Sequence, residues 1–370
     1  MEIDRLLEQM VKFGASDLHV QEDRKPSLRL DGSLRRLDTE PLSREDVDRA
    51  IRKLLYEKQV QRFEESSEGD GSYMLEGVGR FRVNAYQALN RLNIAIRYIP
   101  LEIPRLETLD LPAKIPEIAL SARGLILVTG VTGSGKSTTL AAMIQHINEN
   151  RRVKVITLED PVEFLHREKH ASISQREVGI DTASYRVGLK QVFRQNPDVI
   201  LLGEIRDQEV MNEALAGAET GHLVLSTLHT ADARHTISRV LSFYPPHDHP
   251  SVRQILSGNL VATCSMRLLP KKGGGRVPAV ELMRNTALIS DIIAEEGRLD
   301  ELTKVISDGR SQYGMQTFDQ CILDLYQEGL IEYEVAKFNS SNPSEFDLAV
   351  QGITGGAAEQ GSPSEPDVGG

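Results

Sequence analysis

Tryptophan is absent from this 370-residue chain, and Phe and Tyr bring the aromatic share to only 5%. A base-stacking platform for single-stranded nucleic acid is therefore not supported. Lys and Arg are outnumbered by Asp and Glu, 43 against 54, for a net charge of −11. That balance disfavours a broad nucleic-acid surface, so no nucleic-acid partner is expected, though a local basic patch is not forbidden. Nowhere do about eighteen apolar residues run together, so no transmembrane segment is expected. The opening MEIDRLLEQMVKF is amphipathic and mixed in charge, without the apolar core of a signal peptide. Only two cysteines occur, Cys264 and Cys321. They are too few for a four-cysteine zinc site. Their apolar, helix-like surroundings read as those of buried free thiols in a reducing cytoplasm.

What the chain does have is GLILVTGVTGSGKST at 124–138. A β-branched apolar run leads into a glycine-rich turn, and a helix-forming segment follows. The turn fits G-x-x-x-x-G-K-[ST], with Gly130, Gly135, Lys136 and Ser137 in register. Glycines let successive backbone N–H groups curl inward around phosphate oxygens, and the helix N-terminus adds partial positive charge. Val131, Thr132, Gly133, Ser134 and Thr138 complete the expected contact set. Lys136 would reach the β- and γ-phosphates, and the Ser137 hydroxyl would ligate Mg²⁺.

The remainder divides around this loop. Residues 1–12 predict an amphipathic helix with Leu6, Leu7, Met10 and Val11 on one face. GASDLHV predicts a strand, with Asp17 and His19 structural. PSLRLDGSLRRL (26–37) predicts a hairpin turning at Asp31-Gly32. The segment 43–66 predicts one helix, opened by Ser43 with Asp46 placed as in a capping box. Residues 77–100 predict paired strands with Phe81, Val83 and Ala85 on one face and Arg80, Arg82 and Asn84 on the other. Together 1–100 make an α+β domain, and proline-bearing 101–112 makes a linker. Between 113 and 345, short β-branched runs at 153–159, 198–204 and 222–228 alternate with helical patterns, an α/β signature with a parallel core sheet. After about residue 245 the pattern reads as helical, including SVRQILSGNLVATCSMRLLP, with KKGGGR as a flexible basic loop. The acidic stretch 346–370 predicts a disordered tail; its last twenty residues hold six glycines and no Lys or Arg.

Four clusters stand at expected strand ends, where ligands sit in parallel α/β sheets. TLEDPVE supplies Glu159, Asp160 and Glu163, serving either solvation and capping or a role toward Mg²⁺ and water. Glu163 is the preferred functional member, with Asp160 capping the Pro161 turn. PDVILLGEIRD puts Gly203 where a Walker B aspartate normally stands and follows it with Glu204. A glutamate there suits orienting or deprotonating an attacking water. Arg206 and Asp207 read as a salt bridge. AETGHLVLSTLHT sets His222 and His229 at opposite ends of one strand, His229 beside the nucleotide loop. Arg80, Arg82 and Arg97 read either as a solvated sheet face or as cations for charge developing on phosphate.

These motifs, in this order, resemble the retraction ATPases of type IV pili, the PilT/PilU family within the secretion-ATPase superfamily. The carriers are GASDLH, GRFRVNAY, GVTGSGKSTTLAAMI, TLEDPVEF, SQREVGID, RQNPDVILLGEIRD, AETGHLVLSTLHT and GMQTFDQCILDLYQEG. The resemblance implies a PAS-like N-terminal domain joined to a RecA-like ATPase domain and assembled as a homo-hexamer. ATP and Mg²⁺ would sit between the domains, with Glu163, Glu204 and His229 in the acidic-box, Walker B and His-box roles. Arg80, Arg82 and Arg97 match the family's arginine set, while Glu159, Asp160 and His222 are expected on the nucleotide side from their places at the strand ends. It implies a cytoplasmic protein at the inner-membrane base of the pilus machine. There the ring would turn a platform protein in the membrane, in some members alongside a second retraction ATPase. NTALISDIIAEEG is closer to the accessory PilU type than to the A-I-R-N-L-I helix of the PilT type. TCSMRLLP departs from the S-Q-Q-L-L-P pattern usual in both.

Overall fold

Apolar spacing decides the first half of the chain. The computed structural model describes residues 2–30, 32–99 and 102–351. Helix Ile3–Lys12 buries Ile3, Leu6, Leu7 and Met10, spaced for one face. The strands that follow are β1 (Asp17–Gln21), β2 (Ser27–Leu30), β3 (Ser33–Arg36), β4 (Glu68–Leu75), β5 (Gly79–Ala88) and β6 (Arg91–Ile99). Among the described residues they form an antiparallel sheet in the order β3-β2-β1-β6-β5-β4. Phe81, Val83, Ala85, Ile94 and Ile96 face the helices and are buried. The polar alternates face outward, and Arg82 lies directly opposite Arg97 across β5 and β6.

One expectation needs correction here, and one strand went unpredicted. The segment 43–66 is two helices, Arg44–Leu54 and Glu57–Ser66, parted at Leu55 and Tyr56, both extended. The Ser43 capping box is present, with Asp46 as its partner. Strand β4 escapes the alternation rule because its sequence, EGDGSYML, is polar and glycine-bearing. Those glycines are needed: a Cβ at Gly71 would stand 2.8 Å from Leu55 and 2.7 Å from Gln59. The β2–β3 hairpin is present, and Asp31 of its expected turn lies outside the described residues.

The second half is built on β7 (Gly124–Thr129), β8 (Lys154–Glu159), β9 (Ser172–Glu177), β10 (Val199–Leu202), β11 (Leu223–Leu228), β12 (Leu260–Pro270) and β13 (Arg276–Arg284). Their order is β13-β12-β7-β11-β10-β8-β9. All neighbours are parallel except β13, which is antiparallel to β12. Every residue of β7, β10 and β11 is buried, as in a sheet covered on both faces. The expected α/β class therefore holds.

The expectation of helix through 260–270 does not. Helix His249–Asn259 stops, and β12 runs beside β7. A strand buried on both faces loses its alternation, and periodicity alone does not separate it from a buried helix. Cys264 accordingly lies on a strand, whereas Cys321 lies on helix Phe318–Gln327; both are free and buried. Residues 343–350 form a helix that buries Phe346 against Tyr326 and Tyr333, so chain expected to be disordered from 346 is ordered to that point. The rest of that expected tail, 352–370, lies outside the described residues.

Candidate nucleotide site

Four loops leave the carboxyl ends of β7, β8, β10 and β11 on one side of the second sheet. The β7 loop is Gly130–Gly135, and helix Lys136–Asn150 starts directly behind it. Gly130 takes φ +143°, and a Cβ there would stand 2.4 Å from the Met266 carbonyl. Gly133 and Gly135 also have positive φ, +80° and +99°. Lys136 Nζ donates to the carbonyls of Gly130 (2.8 Å) and Val131 (2.9 Å). Burial lowers its pKa, against the opposing pull of Glu204 and Glu163. The Ser134 hydroxyl is buried and has no partner among the described residues. A glycine cradle, a buried ammonium and an unpartnered hydroxyl in one loop fit a phosphate chain.

The loop opens on a cleft of about 570 Å³, lined on this side by Thr132, Gly133, Gly135, Lys136, Ser137 and Thr138. Glu159, Asp160, Glu163, Glu204 and His229 line it as well. Thr157 and Gln175 donate to Glu159 at 2.6 and 3.3 Å, yet burial pushes its carboxyl up to about 7.

Glu204 is held from several directions. Thr227 bonds the Gly203 carbonyl (2.8 Å), and Gly203 N–H bonds Leu158. His229 Nε2 approaches Glu204 Oε1 at 3.2 Å, while Arg206 donates to Oε2 through Nε (2.9 Å) and Nη2 (2.8 Å). The expected Arg206–Asp207 pair is thus replaced by Arg206–Glu204. Asp207 instead caps helix Gln208–Glu219 by accepting from Val210. Glycine at 203 has a steric reason: a Cβ would lie 2.6 Å from the Tyr185 hydroxyl, which occupies that space. Burial, reinforced by Asp160 and Glu159, raises the Tyr185 pKa, so its hydroxyl stays protonated.

The opposite wall belongs to the first sheet. Arg82 and Arg97 line the cleft, with Arg97 tethered to Asp17 at 2.9 Å. Like charges directly opposite on adjacent strands repel unless an anion lies between them. Arg80 is not on this wall; it is paired with Glu177 at 2.6 Å. His222 is not brought to the cleft either. At the far end of β11 its Nδ1 contacts the Gly217 carbonyl (3.0 Å), and its ring packs edge-on to Phe193. Arg276, His166 and Tyr185 line the cleft without having been singled out in the sequence. Arg276 was concealed in a glycine-rich basic loop. His166 and Tyr185 lie beside recognisable motifs, but nothing in their spacing points inward. Burial pushes His166 down to about 4.

Comparison with known proteins agrees with this arrangement. The family described as type II/IV secretion system protein matches residues 1–306. The type IV pilus retraction ATPase PilT of Pseudomonas aeruginosa is 41% identical over 94% of this chain and 100% of its own length. The type IV pilus ATPase PilU of the same organism is 40% identical over 95% of this chain and 92% of its own. A crystal structure of the pilus retraction motor PilT with bound ADP superposes with a TM-score of 0.86 at 41% identity, covering 93% of this chain and 98% of that one. This chain belongs to the type II/IV secretion system protein family and, within it, to the PilT/PilU-type ATPases.

Proposed function

We propose that this protein is a hexameric ATPase motor that couples ATP hydrolysis to retraction of type IV pili. The observation that carries this reading is the single cleft shared by Lys136, Glu163, Glu204, His229 and the Arg82–Arg97 pair. It occurs in a chain that aligns with the whole length of PilT. Lys136 and the backbone N–H groups of its loop bind the phosphates. Glu204 accepts a proton from, or orients, the attacking water, and His229 holds the Glu204 carboxylate in place. Arg82 and Arg97 stabilise charge developing on the transferred phosphoryl group. Ser137 and, through water, Glu163 would hold Mg²⁺, which supplies electrostatic neutralisation of the phosphates. Among the described residues no cluster of three or more His, Cys, Asp or Glu is arranged to hold a metal. That fits Mg²⁺ carried largely by phosphates and water rather than by a protein cage.

The protein acts in the cytoplasm at the inner-membrane base of the pilus, where the ring turns a platform protein. Among the described residues no helix is long and apolar enough to cross a membrane. A second reading, an accessory PilU-like ATPase that depends on a PilT-type motor, is equally compatible with the near-equal identities of 41% and 40%. Retraction measured in a deletion strain, with and without a second retraction ATPase, separates the two. Loss of retraction in both backgrounds, restored by the native gene but not by Lys136→Ala, is the motor result. Loss only when the other motor is impaired is the accessory result. Absence of ATP turnover by the purified protein sinks both.

A further inference from the structure

Arg80 is turned from the cleft into the joint between the two sheets. Its Nη2 donates to Glu177 Oε2 at 2.6 Å and to Ser72 Oγ at 2.7 Å. The Ser72 hydroxyl in turn donates to Glu177 Oε1 at 3.2 Å. Only 13% of the Arg80 side chain and 5% of the Glu177 side chain reach solvent. Ser72 and Arg80 come from β4 and β5 of the first sheet, while Glu177 ends β9 of the second. The Glu177 carboxylate has one further duty: its Oε2 accepts the Val162 N–H at 3.1 Å. Val162 immediately precedes Glu163. One buried carboxylate therefore grips the N-terminal sheet with one set of bonds and the acidic segment of the cleft with another. A cavity of about 270 Å³ lies along the same joint, bounded by Asp70, Arg82, Asp160, Glu177 and Arg206.

We propose that Arg80 is a positioning residue: acting through Glu177 and the Val162 N–H, it places Glu163 only when the N-terminal sheet is seated against β9. This rests on the hydrolytic reading given above. Physically, Glu177 stripped of Arg80 is a buried charge with no cation, left with only the Ser72 hydroxyl and the Val162 N–H as donors, and it is driven to take up a proton or turn toward water. Either response weakens its hold on Val162. The joint thereby reports domain seating to the chemistry, separately from the arginines that face the cleft.

The test uses the purified full-length protein with Arg80→Met, Glu177→Gln, the double variant, Arg80→Lys and the milder Ser72→Ala. Arg80→Met and Glu177→Gln should each lower kcat about tenfold, the scale of a small misplacement of a reacting group, with KM for ATP unchanged. The double variant should lose no more than either single one, since both break one linkage. Arg80→Lys should recover part of the loss, and Ser72→Ala should give a smaller fall in the same direction. Hydrogen exchange at the Val162 amide should accelerate in every variant that lowers kcat. A raised KM, or losses that add, would assign Arg80 to the phosphates and overturn the proposal. So would a double variant with native turnover and a lowered Tm, which leaves the pair as a stabilising contact alone. Val162 exchange needs no turnover. If the native protein hydrolysed no ATP while Arg80→Met still released Val162, the linkage would stand and the hydrolytic reading would fall.

Discussion

The two walls of the cleft are built on opposite principles. On the parallel-sheet side the loop, Glu159, Glu204 and His229 all stand at the ends of strands that are buried along their length. Their backbones are fixed by neighbouring strands and by side-chain bonds such as Thr227 to Gly203. On the antiparallel side Arg82 and Arg97 stand on the outer face of a sheet, and the Arg97 side chain is 67% exposed. Groups seated on a core are preorganised for chemistry. Groups on an outer face are placed by the seating of a whole domain, so they can be withdrawn and returned. In the proposed motor, one of each would let movement of the N-terminal domain gate hydrolysis.

The largest expected effect breaks the fixed wall. Glu204→Gln keeps the side-chain shape and removes the charge. It should lower turnover by about 10²–10⁴-fold, the worth of a general base, while nucleotide affinity stays near native. Steady-state rates beside fluorescent-nucleotide titration check this. If Arg82→Ala proved more damaging than Glu204→Gln, the contrast between the walls would be inverted.

Behind the fixed wall lies a buried carboxyl that tests how its loops are carried. Glu281 on β13 accepts the Ala233 N–H at 2.8 Å, at the start of the helix that follows the His229 loop. Burial pushes its carboxyl up to about 7, with Asp232 and Asp319 adding to the rise and Arg267 opposing it. The folded state therefore keeps a proton that the unfolded chain has lost between its ordinary value, 4.5, and about 7. The stability this provides is complete below pH 4.5 and is lost as pH rises through 7. Glu281→Gln should escape that loss, making the variant more stable than the native protein at pH 8 by on the order of 3 kcal/mol. Denaturant midpoints at pH 4.5 and 8 decide it. A difference that does not change between the two would show that Glu281 is not the titrating group.

Legibility in the sequence follows the same division. The fixed wall was readable because phosphate binding demands glycine and lysine at set spacing, and because β7, β10 and β11 are short β-branched runs. Glu204 and His229 were readable as polar residues ending such runs. Strand β12 was not, since burial on both faces removes the alternation that marks a strand. On the other wall the alternation of Phe81, Val83 and Ala85 fixed which face the arginines share. It did not reveal that Arg80, two residues from Arg82 on that face, reaches across to Glu177. Long-range pairs such as Ser72 with Glu177 leave no mark in local spacing.

A smaller effect is expected from the placed wall. Arg82→Ala and Arg97→Ala each remove a charge-assisted hydrogen bond of about 1.5–3 kcal/mol and should lower kcat/KM roughly ten- to a hundredfold. Relieving their mutual repulsion across β5 and β6 should leave folding stability unharmed in Arg82→Ala, whereas Arg97→Ala also breaks the Asp17 pair, an exposed contact worth under about 1 kcal/mol. Thermal melts beside kinetics separate the two consequences. A variant that loses stability and keeps its rate would remove these arginines from the site.

The smallest effect bears on whether the placed wall is mechanically separate. Ser43 caps helix Arg44–Leu54: its hydroxyl accepts from Asp46 N–H at 3.2 Å, and the Asp46 carboxylate bonds back to Ser43. Those bonds to Ser43 hold the Asp46 pKa below its ordinary value. Loss of such a cap removes about 1 kcal/mol. Ser43→Ala should therefore weaken the N-terminal domain by about that amount while turnover and nucleotide affinity stay native, because the helix packs on the face opposite the arginines. Hydrogen exchange resolved by domain, read with steady-state rates, is the measurement. Turnover falling in step with N-terminal stability would mean that seating and folding of this domain are one equilibrium. The arginine wall would then be withdrawn by local unfolding rather than by rigid movement.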